Sequence, residues 1–320
     1  MESESKHDMQ KLKEKLEVSD ILKEAVIIFF TNVNFIIFTL LISLPFFSLM
    51  VYFETCLQQT LIETSEILNL PTISFTYYGS IVDFQMRDFT INYCLKLILL
   101  GFIYLVPLHL LELCSAIITI NLASELRSED TKMSLKEMFQ IPISISILRG
   151  TLLTSIYVLL FSTSYLFGLL WIVINYQVFF KNLSYYLIFA VICSLAFSKL
   201  LRVYLEWSAM WNMSIVISVL EGVYGIEALV LSAYFSRGCQ RRGLLLMLIF
   251  FAWGHFLRLF CLYIGGYKER NGVAAQVGLF CLANLLKWVV CMIYFYDCKE
   301  RSLEKKVDEE LGQDVTVVHE

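Results

Sequence analysis

The sequence predicts an all-α fold, a polytopic transmembrane helical bundle with about six spans and both termini in the cytosol. Of the 320 residues, 58% are hydrophobic and only 17% are charged, and the mean hydropathy is +0.68. Soluble domains lie nearer to about 45–50% apolar and about 25% charged. Because a soluble core still needs a polar surface, this excess indicates that lipid surrounds most of the chain.

Six apolar runs are each long enough to cross a bilayer core, which takes about 20 helical residues. The predicted spans are 25–51, 97–122, 150–176, 183–205, 244–264 and 273–296. They leave an N-terminal tail, 1–24, a C-terminal tail, 297–320, and an interfacial or cytosolic helix, 221–242. Span four is ambiguous, because apolar character persists to Leu220; it is one long helix or a broken one. The capping-box pattern of Ser134 and Glu137 predicts a short helix there.

The basic residues are unevenly distributed along these segments, which predicts the orientation. Lysine and arginine accumulate in cytosolic loops. With the N-terminus inside, the two tails and the loops after spans two and four hold sixteen basic residues, against four in the outer segments, Arg87, Lys181, Lys268 and Arg270. An odd number of spans would put basic loops on both sides.

Polar residues inside the predicted spans are the candidate functional residues. Three pairs stand three positions apart and so share a helix face: His109 and Glu112, His255 and Arg258, and Asn284 and Lys287. Ionisable groups in a bilayer are costly and usually pair in the bundle interior. Depth counting at about 1.5 Å per residue matches Glu112 with Lys287, and we expect an interhelical pair. Structural polar contact or snorkelling is the simpler interpretation, and a proton or substrate pathway is the alternative.

Two further pairs of side chains stand out near the predicted cytosolic side. Arg202 and Glu206 are four apart near the end of span four, a spacing at which a salt bridge forms. Cys239 and Cys298 are juxtamembrane and are candidates for lipidation by palmitoylation, although inert thiols are the default. The nine cysteines form no CxxC pair and mostly fall in apolar runs, which is typical of small core hydrophobes. With no HExxH motif near His109, Glu112 and His255, we expect no metal and no cofactor.

Several segments carry a resemblance to a known family. They are Ile21–Ala25 leading into Asn34 and Pro45, Met138–Pro142 with Arg149 and Thr151, Trp211 with Ser218–Glu221 and Tyr224–Gly225, then Ala228, Ser232, Arg237 and Gly238, and Tyr294–Lys299. The chain resembles a plant-specific family of six-helix, multi-pass membrane proteins of unknown function. That family is distantly similar to the membrane domain of some bacterial glycerophosphoryl diester phosphodiesterases. The resemblance implies an endomembrane or plasma-membrane protein, and it imports no phosphodiesterase activity.

The function classes follow from what the motifs include and exclude. No GxSxG, Walker A or dinucleotide glycine pattern occurs, so we expect no enzyme. The favoured function is a non-enzymatic role in membrane organisation, trafficking or lipid homeostasis. A transporter or channel that uses the polar residues of spans two, five and six, with breaks at Pro45, Pro107 and Gly222–Gly225, is the alternative. A lipid-acting membrane enzyme ranks last.

The expected partners follow from the same composition. The bilayer is the first of them, and small-residue helix faces such as Ala274 and Gly278 favour a homo- or hetero-oligomer. A net charge of −4 makes nucleic acid an unexpected partner.

Overall fold

The computed structural model describes residues 17–69, 95–128, 134–140, 145–179, 186–263 and 270–317. Within these ranges the chain forms nine helices and no strand, which confirms the all-α prediction. The helices are α1 Val18–Thr31, α2 Val33–Asn69, α3 Leu95–Ser128, α4 Leu135–Gln140, α5 Ile145–Phe179, α6 Tyr186–Leu220, α7 Ile226–Phe235, α8 Gln240–Tyr263 and α9 Arg270–Val317. Most of the predicted N-terminal tail, the outer basic residues Arg87, Lys181 and Lys268, and Pro142 lie outside these ranges.

Six of the helices are long and apolar enough to cross a membrane. The candidate spans are Val33–Thr60, Leu95–Ser128, Ile145–Val173, Ala190–Leu220, Gln240–Cys261 and Gly272–Glu304. Large apolar side chains stand exposed within them, such as Phe167 at 71% and Leu195 at 66%. Exposure on this scale is costly in water and costs nothing in lipid. The chain is therefore an integral membrane protein, whereas its orientation stays a prediction.

The predicted first span, 25–51, corresponds to two helices that meet at Asn32. Asn32 has extended backbone angles, φ −113° and ψ 98°. Its Oδ1 accepts hydrogen bonds from the backbone N–H groups of Asn34 at 3.1 Å and Phe35 at 3.4 Å. The asparagine thus caps the N-terminus of α2, satisfying donors that have no partner within the helix. Residues 52–69 hold no glycine or proline, so α2 continues to Asn69 and includes Glu54.

Helix α9 likewise extends well beyond the predicted sixth span. It runs to Val317 and takes in most of the predicted C-terminal tail, 297–320. Asp297 and Arg301 support this extension, because Arg301 Nε donates to Asp297 Oδ1 at 3.0 Å across one helical turn. Ser134 and Glu137 form the predicted capping box, with mutual backbone-to-side-chain bonds of 2.7 and 3.4 Å, at the start of α4.

The region between α6 and α8 contains a ten-residue helix between two breaks. Helix α6 is continuous to Leu220, so the fourth span is one long helix. Gly222, Gly225 and Gly238 have φ values of 68°, 66° and 86°, which only glycine adopts at little cost. These breaks bound α7, where a helix over 221–242 is predicted. Pro45 lies inside continuous α2, whereas Pro107 lies in a π-helical turn of α3, Tyr104–Leu108.

The chain consists of two compact units, each of which makes most of its contacts within itself. Unit 1 consists of Met1–Ile37, Ile117–Trp253 and Leu285–Glu320, and unit 2 consists of Phe38–Ala116 and Gly254–Asn284. The core of unit 1 lies in the second half of α6 and in α9, where residues 213–219 and 288–295 are buried without interruption. The core of unit 2 is formed by Phe46, Phe53, Leu100, Leu108, Val273, Val277 and Cys281.

A chain of hydroxyl groups joins α5, α6 and the start of α7 inside unit 1. The backbone N–H of Gly225 donates to Thr154 Oγ1 at 2.8 Å. Thr154 Oγ1 lies 2.7 Å from Ser218 Oγ, which donates to the carbonyl of Ser214 at 2.9 Å. Thr154, Ser218 and Ser214 are fully buried. Since lipid offers no hydrogen bond to these groups, the chain of hydroxyls holds the three helices together.

The first prediction concerns Gly150, next to this contact. A Cβ atom at Gly150 in α5 would overlap the aromatic ring of Tyr224, which lies in the break before α7. We expect Gly150→Ala to lower the free energy of unfolding by about 1–3 kcal/mol, because the packed ring must shift. The melting temperature of the full-length protein in detergent measures this effect.

Gly254→Ala in α8 is the matched control, because nothing lies within 4 Å of a Cβ built there. Its expected effect is neutral or a gain of up to about 1 kcal/mol from helix propensity. Equal melting temperatures for the two variants would contradict the packing of Tyr224 on Gly150.

Candidate functional site

Ion pairs link neighbouring helices of unit 1: α1 with α3, α8 with α9, and the residue after α6 with α9. We call this set the end network, and its members are Glu24, Arg127, Glu221, Arg242, Asp297, Lys299 and Arg301. Arg127 of α3 pairs with Glu24 of α1 at 3.1 Å, and Arg242 of α8 pairs with Asp297 of α9 at 2.7 Å. Lys299 of α9 pairs with Glu221, the residue after α6. The charge distribution predicts that these residues lie on one side of the membrane, and that orientation stays a prediction.

Two cations of the end network also lie over aromatic rings of α9. Arg127 Cζ lies 4.9 Å from the ring centroid of Tyr296, and Lys299 Nζ lies 5.8 Å from that of Phe295. Such contacts contribute about 0.5–1 kcal/mol at exposed sites. A recess of about 420 Å³ opens beside Arg127, Tyr296 and Lys299. The cations are therefore fixed in position at the surface.

Cys239 occupies the turn between α7 and α8, in contact with Arg242 of the end network. The positive φ of Gly238 turns the chain immediately before it, and α8 begins at Gln240. The carbonyl of Cys239 accepts the backbone N–H groups of Arg242 at 3.0 Å and Gly243 at 3.2 Å. Its side chain thus stands at the N-terminus of α8, where the helix dipole favours a negative charge.

The side chains around Cys239 come from α8 and α9. Arg242 Nη2 donates to Cys239 Sγ at 2.8 Å, while its Nη1 donates to Asp297 Oδ2. The Sγ atoms of Cys239 and Cys298 and a carboxylate oxygen of Asp297 all lie within 4.8 Å of one another. Arg301 Nε and Nη2 both donate to Asp297 Oδ1 at 3.0 Å. We call these five residues the thiol cluster.

Helix α9 approaches α8 closely at this point. The hydroxyl of Tyr294 donates to the carbonyl of Cys239 at 3.1 Å. A Cβ atom at Gly243 would lie 2.7 Å from Tyr294 Oη and 2.8 Å from the Cβ of Ala209 in α6. Only glycine leaves room for this approach, which explains how a buried turn of α8 can meet α6 and α9 together.

The charges of the thiol cluster set the protonation state of Cys239. The hydrogen bond with the Cys298 thiol, together with the charges of Arg242 and Arg301, lowers the pKa of Cys239 from 9.0 to about 6, although burial acts in the opposite direction. A thiolate at Cys239 and the carboxylate of Asp297 then balance the two guanidinium groups. The cluster has the donor types of a metal site, but its own arginines already supply the positive charge that a metal would bring.

The structure brings Cys239 and Cys298 together, whereas the sequence predicts two separate cysteines. Cys239 and Cys298 are individual lipidation candidates in the sequence, where no CxxC spacing links them. In the fold they face each other and are 4% and 0% exposed. Palmitoylation stays a prediction, and an acyltransferase would have to reach sulfurs buried between α8 and α9. The arginines three residues after each cysteine, Arg242 and Arg301, are the sequence signal that could have indicated the pair.

Unit 2 holds most of the predicted intramembrane polar residues, together with Glu54, which the sequence does not predict to lie in a span. Arg258 Nη2 of α8 donates to Glu54 Oε2 of α2 at 3.3 Å, and Glu54 is 4% exposed. This partner was missed because the predicted first span ended at Val51. The Nε2 atom of His109 is buried with no hydrogen-bond partner. Also in unit 2 are Glu112, His255 and Asn284.

Two predicted pairs have different outcomes. Arg202 Nε donates to Glu206 Oε1 at 3.0 Å within α6, as their spacing predicts. Lys287 belongs to unit 1, whereas Glu112 belongs to unit 2. The Nζ atom of Lys287 lies 4.6 Å from the ring centroid of Trp288. The pairing of Glu112 with Lys287 stays a prediction.

The second prediction tests the intramembrane ion pair of unit 2. Arg258→Gln leaves the carboxylate of Glu54 buried without its partner, and we expect a loss of about 3 kcal/mol in stability. Glu54→Gln should cost less, because the guanidinium is 50% exposed and its flexible side chain can move toward the headgroups. The double variant should recover most of the loss, and melting curves in one detergent compare all three. A larger loss for Glu54→Gln would contradict this assignment.

The third prediction tests the ionisation of Cys239. The rate at which methyl methanethiosulfonate modifies Cys239 is followed by mass spectrometry of peptide 238–241. This rate should be half-maximal near pH 6. Because the folded-state pKa lies below the unfolded value of 9.0, the stability that the thiolate contributes is complete above that value and is lost as the pH falls through about 6.

Arg242→Gln should move the midpoint of this profile upward, because it removes both a hydrogen bond and a positive charge from the sulfur. Lys299→Gln is the matched control, since it removes a charge from the end network and leaves the contacts of Cys239 in place. A profile that is unchanged in Arg242→Gln would show that the guanidinium does not hold the thiolate.

Comparison with known proteins gives a family and no activity. No curated protein and no solved structure matches the chain. One family model, described as Domain of unknown function (DUF8558), matches residues 1–317. That match takes in all nine helices, the end network and the thiol cluster. The chain belongs to the DUF8558 family.

Proposed function

We propose that this protein organises a membrane without catalysing a reaction, and that the end network of unit 1 is its working surface. The observation that supports the proposal is the set of ion pairs that link α1 with α3, α8 with α9 and the residue after α6 with α9. Groups that are already fixed lose little freedom when a partner binds, which favours recognition by a preformed surface. The setting that we propose is trafficking or lipid homeostasis, in the endomembrane system or the plasma membrane.

Exposed cations beside the end network indicate what it recognises. Arg237 and Arg241 flank Cys239 and are both exposed, while neighbouring Arg242 and Arg301 are held by Asp297. Fixed positive charge next to exposed positive charge favours acidic segments of partner proteins. The proposed partner is a copy of the chain in a homo-oligomer or another protein in a hetero-oligomer.

A transporter or channel is the second candidate, and a specific observation favours it. Unit 2 holds an ion pair, Glu54 with Arg258, within two candidate spans, and His109 has a buried nitrogen without a hydrogen-bond partner. Ionisable groups inside a membrane often mark a pathway for ions or protons. A lipid-acting enzyme ranks third, because the Cys239 thiol, the candidate nucleophile, is only 4% exposed.

The resemblance to plant six-helix membrane proteins, and through them to bacterial phosphodiesterase membrane domains, is compatible with this proposal. It suggests a membrane module that works without its own catalytic domain. The plant origin and the distant similarity are parts of the proposal.

The fourth prediction separates the two leading functions. A proximity-labelling enzyme fused after Glu320 should label a defined set of proteins in cells. Arg237→Glu with Arg241→Glu should reduce that set severalfold, because the surface charge is reversed. Arg202→Gln with Glu206→Gln is the control, since it removes one charge of each sign from α6. Abundance and membrane localisation of each variant are measured in parallel.

The transport alternative is tested on the purified protein in phosphatidylcholine vesicles that hold a pH gradient and a pH-sensitive dye. The proposed function requires the gradient to persist as it does in protein-free vesicles. The organising role would be refuted if the charge reversal left the set of labelled proteins unchanged. It would also be refuted by a proton leak that Glu54→Gln with Arg258→Gln abolishes.

A further inference from the structure

We propose that Cys239 and Cys298 form an oxidisable dithiol, at which a hydroperoxide such as hydrogen peroxide closes a disulfide between the α7–α8 turn and α9. The inference rests on the thiol cluster alone and does not require the proposed function. The two cysteines are far apart in the sequence, and the fold brings them together.

The positions of the two sulfurs allow the bond. They lie within 4.8 Å of each other, and a disulfide requires a separation of about 2.0 Å. Cys239 lies in the turn between α7 and α8, after a glycine with positive φ, so its side chain is not confined by a helical backbone. A change of side-chain rotamer with a small movement of the turn can therefore bring the sulfurs into bonding distance.

The surroundings give the two sulfurs different roles. Cys239 Sγ receives a hydrogen bond from Arg242 and stands at the N-terminus of α8, both of which favour the thiolate that attacks oxidants. Cys298 lies within α9, away from a helix N-terminus, and is fully buried. Cys239 is accordingly the attacking sulfur and Cys298 the resolving one.

The reaction balances with hydrogen peroxide as the oxidant. The Cys239 thiolate attacks one peroxide oxygen, the O–O bond breaks, and hydroxide leaves, so that sulfur is oxidised to the sulfenic acid while peroxide is reduced. The Cys298 sulfur then attacks the Cys239 sulfur. The S–S bond forms as the S–O bond breaks, and the departing hydroxide takes the Cys298 proton to give water. A dithiol reductant reverses the change.

Oxidation would alter the charge of this end of unit 1. In the reduced form the thiolate and Asp297 balance Arg242 and Arg301. The disulfide is neutral, so one carboxylate then faces two guanidinium groups, and Arg242 loses its contact with a charged sulfur. The same bond ties the start of α8 to α9, which already approach closely at Gly243 and Tyr294.

The test uses the full-length protein in native membrane vesicles. Vesicles are treated with hydrogen peroxide, free thiols are blocked with N-ethylmaleimide, and the protein is digested with trypsin without reduction. Peptide 238–241, which holds Cys239, should appear linked to peptide 288–299, with the mass of both less two hydrogen atoms. Treatment with dithiothreitol before blocking should remove the linked species.

Matched variants identify the sulfurs, because peptide 288–299 also contains Cys291. Cys298→Ser should abolish the linked species and leave a sulfenic acid at Cys239 that dimedone traps. Cys291→Ser should leave the link intact. Arg242→Gln should slow its formation about tenfold near neutral pH, because less of the sulfur is ionised, and Arg242→Lys should restore part of the rate.

Three results would overturn the proposal. They are a link that persists in Cys298→Ser, a link that disappears in Cys291→Ser, and Cys239 that stays fully open to N-ethylmaleimide after peroxide treatment. Size-exclusion profiles of each variant in detergent establish that its fold is retained, and Arg242→Lys covers the case in which Arg242→Gln does not fold.

Discussion

A polar group inside a bilayer has no water to bind, so it must find its partner within the protein, and this constraint organises the described helices. The hydroxyl of Thr154 illustrates it. Its oxygen accepts a hydrogen bond from the backbone N–H of Gly225 and is hydrogen-bonded to the hydroxyl of Ser218. The non-helical segment before α7 therefore meets α5 and α6 at one point. The backbone N–H of Gly225 is thus paired with a side chain and not with water. Helix α7 can then pack against α5 and α6.

The two kinds of polar contact in unit 1 suit different surroundings. Neutral hydroxyl contacts join helices where residues are fully buried, because an unpaired hydroxyl costs less there than an unpaired charge. The ion pairs Arg127–Glu24 and Lys299–Glu221 are partly exposed, with side-chain exposures of 32% and 30% and of 34% and 32%, so water can solvate their charges. In unit 2, Glu54 and Arg258 pair between two candidate spans, and Glu54 is 4% exposed. A charged pair in such a place carries a larger desolvation cost, which is why it draws attention as a candidate pathway.

The parts of this structure that the sequence predicts are those that depend on local pattern. Composition and run length predict helices and six spans, and the spacing of Arg202 with Glu206 and of Ser134 with Glu137 predicts contacts within a turn. The long-range contacts could not be predicted in the same way. Nearly uniform apolar runs do not indicate which face of a helix meets which neighbour, so neither Glu54 with Arg258 nor Cys239 with Cys298 could be paired.

Helix boundaries were missed for a related reason. An apolar run reports that a segment prefers lipid, and Asn32 interrupts the predicted first span by only one polar residue. Its effect comes from its side chain, which caps α2 and lets the backbone leave the helical conformation. At the other end, charged residues after Tyr296 indicated a tail, although charges four apart are compatible with a longer helix.

Cysteines in this chain show that neighbours, and not residue type, determine chemistry. Cys281 lies in the apolar core of unit 2 among phenylalanine, leucine and valine, and there a thiol acts as a small hydrophobe. Cys239 is equally buried, but its sulfur meets a guanidinium group, a second thiol and a helix N-terminus. Packing alone would not place two arginines around one carboxylate beside a pair of thiols. The arrangement has balanced charge only when one sulfur is ionised, which is the state in which a thiol reacts.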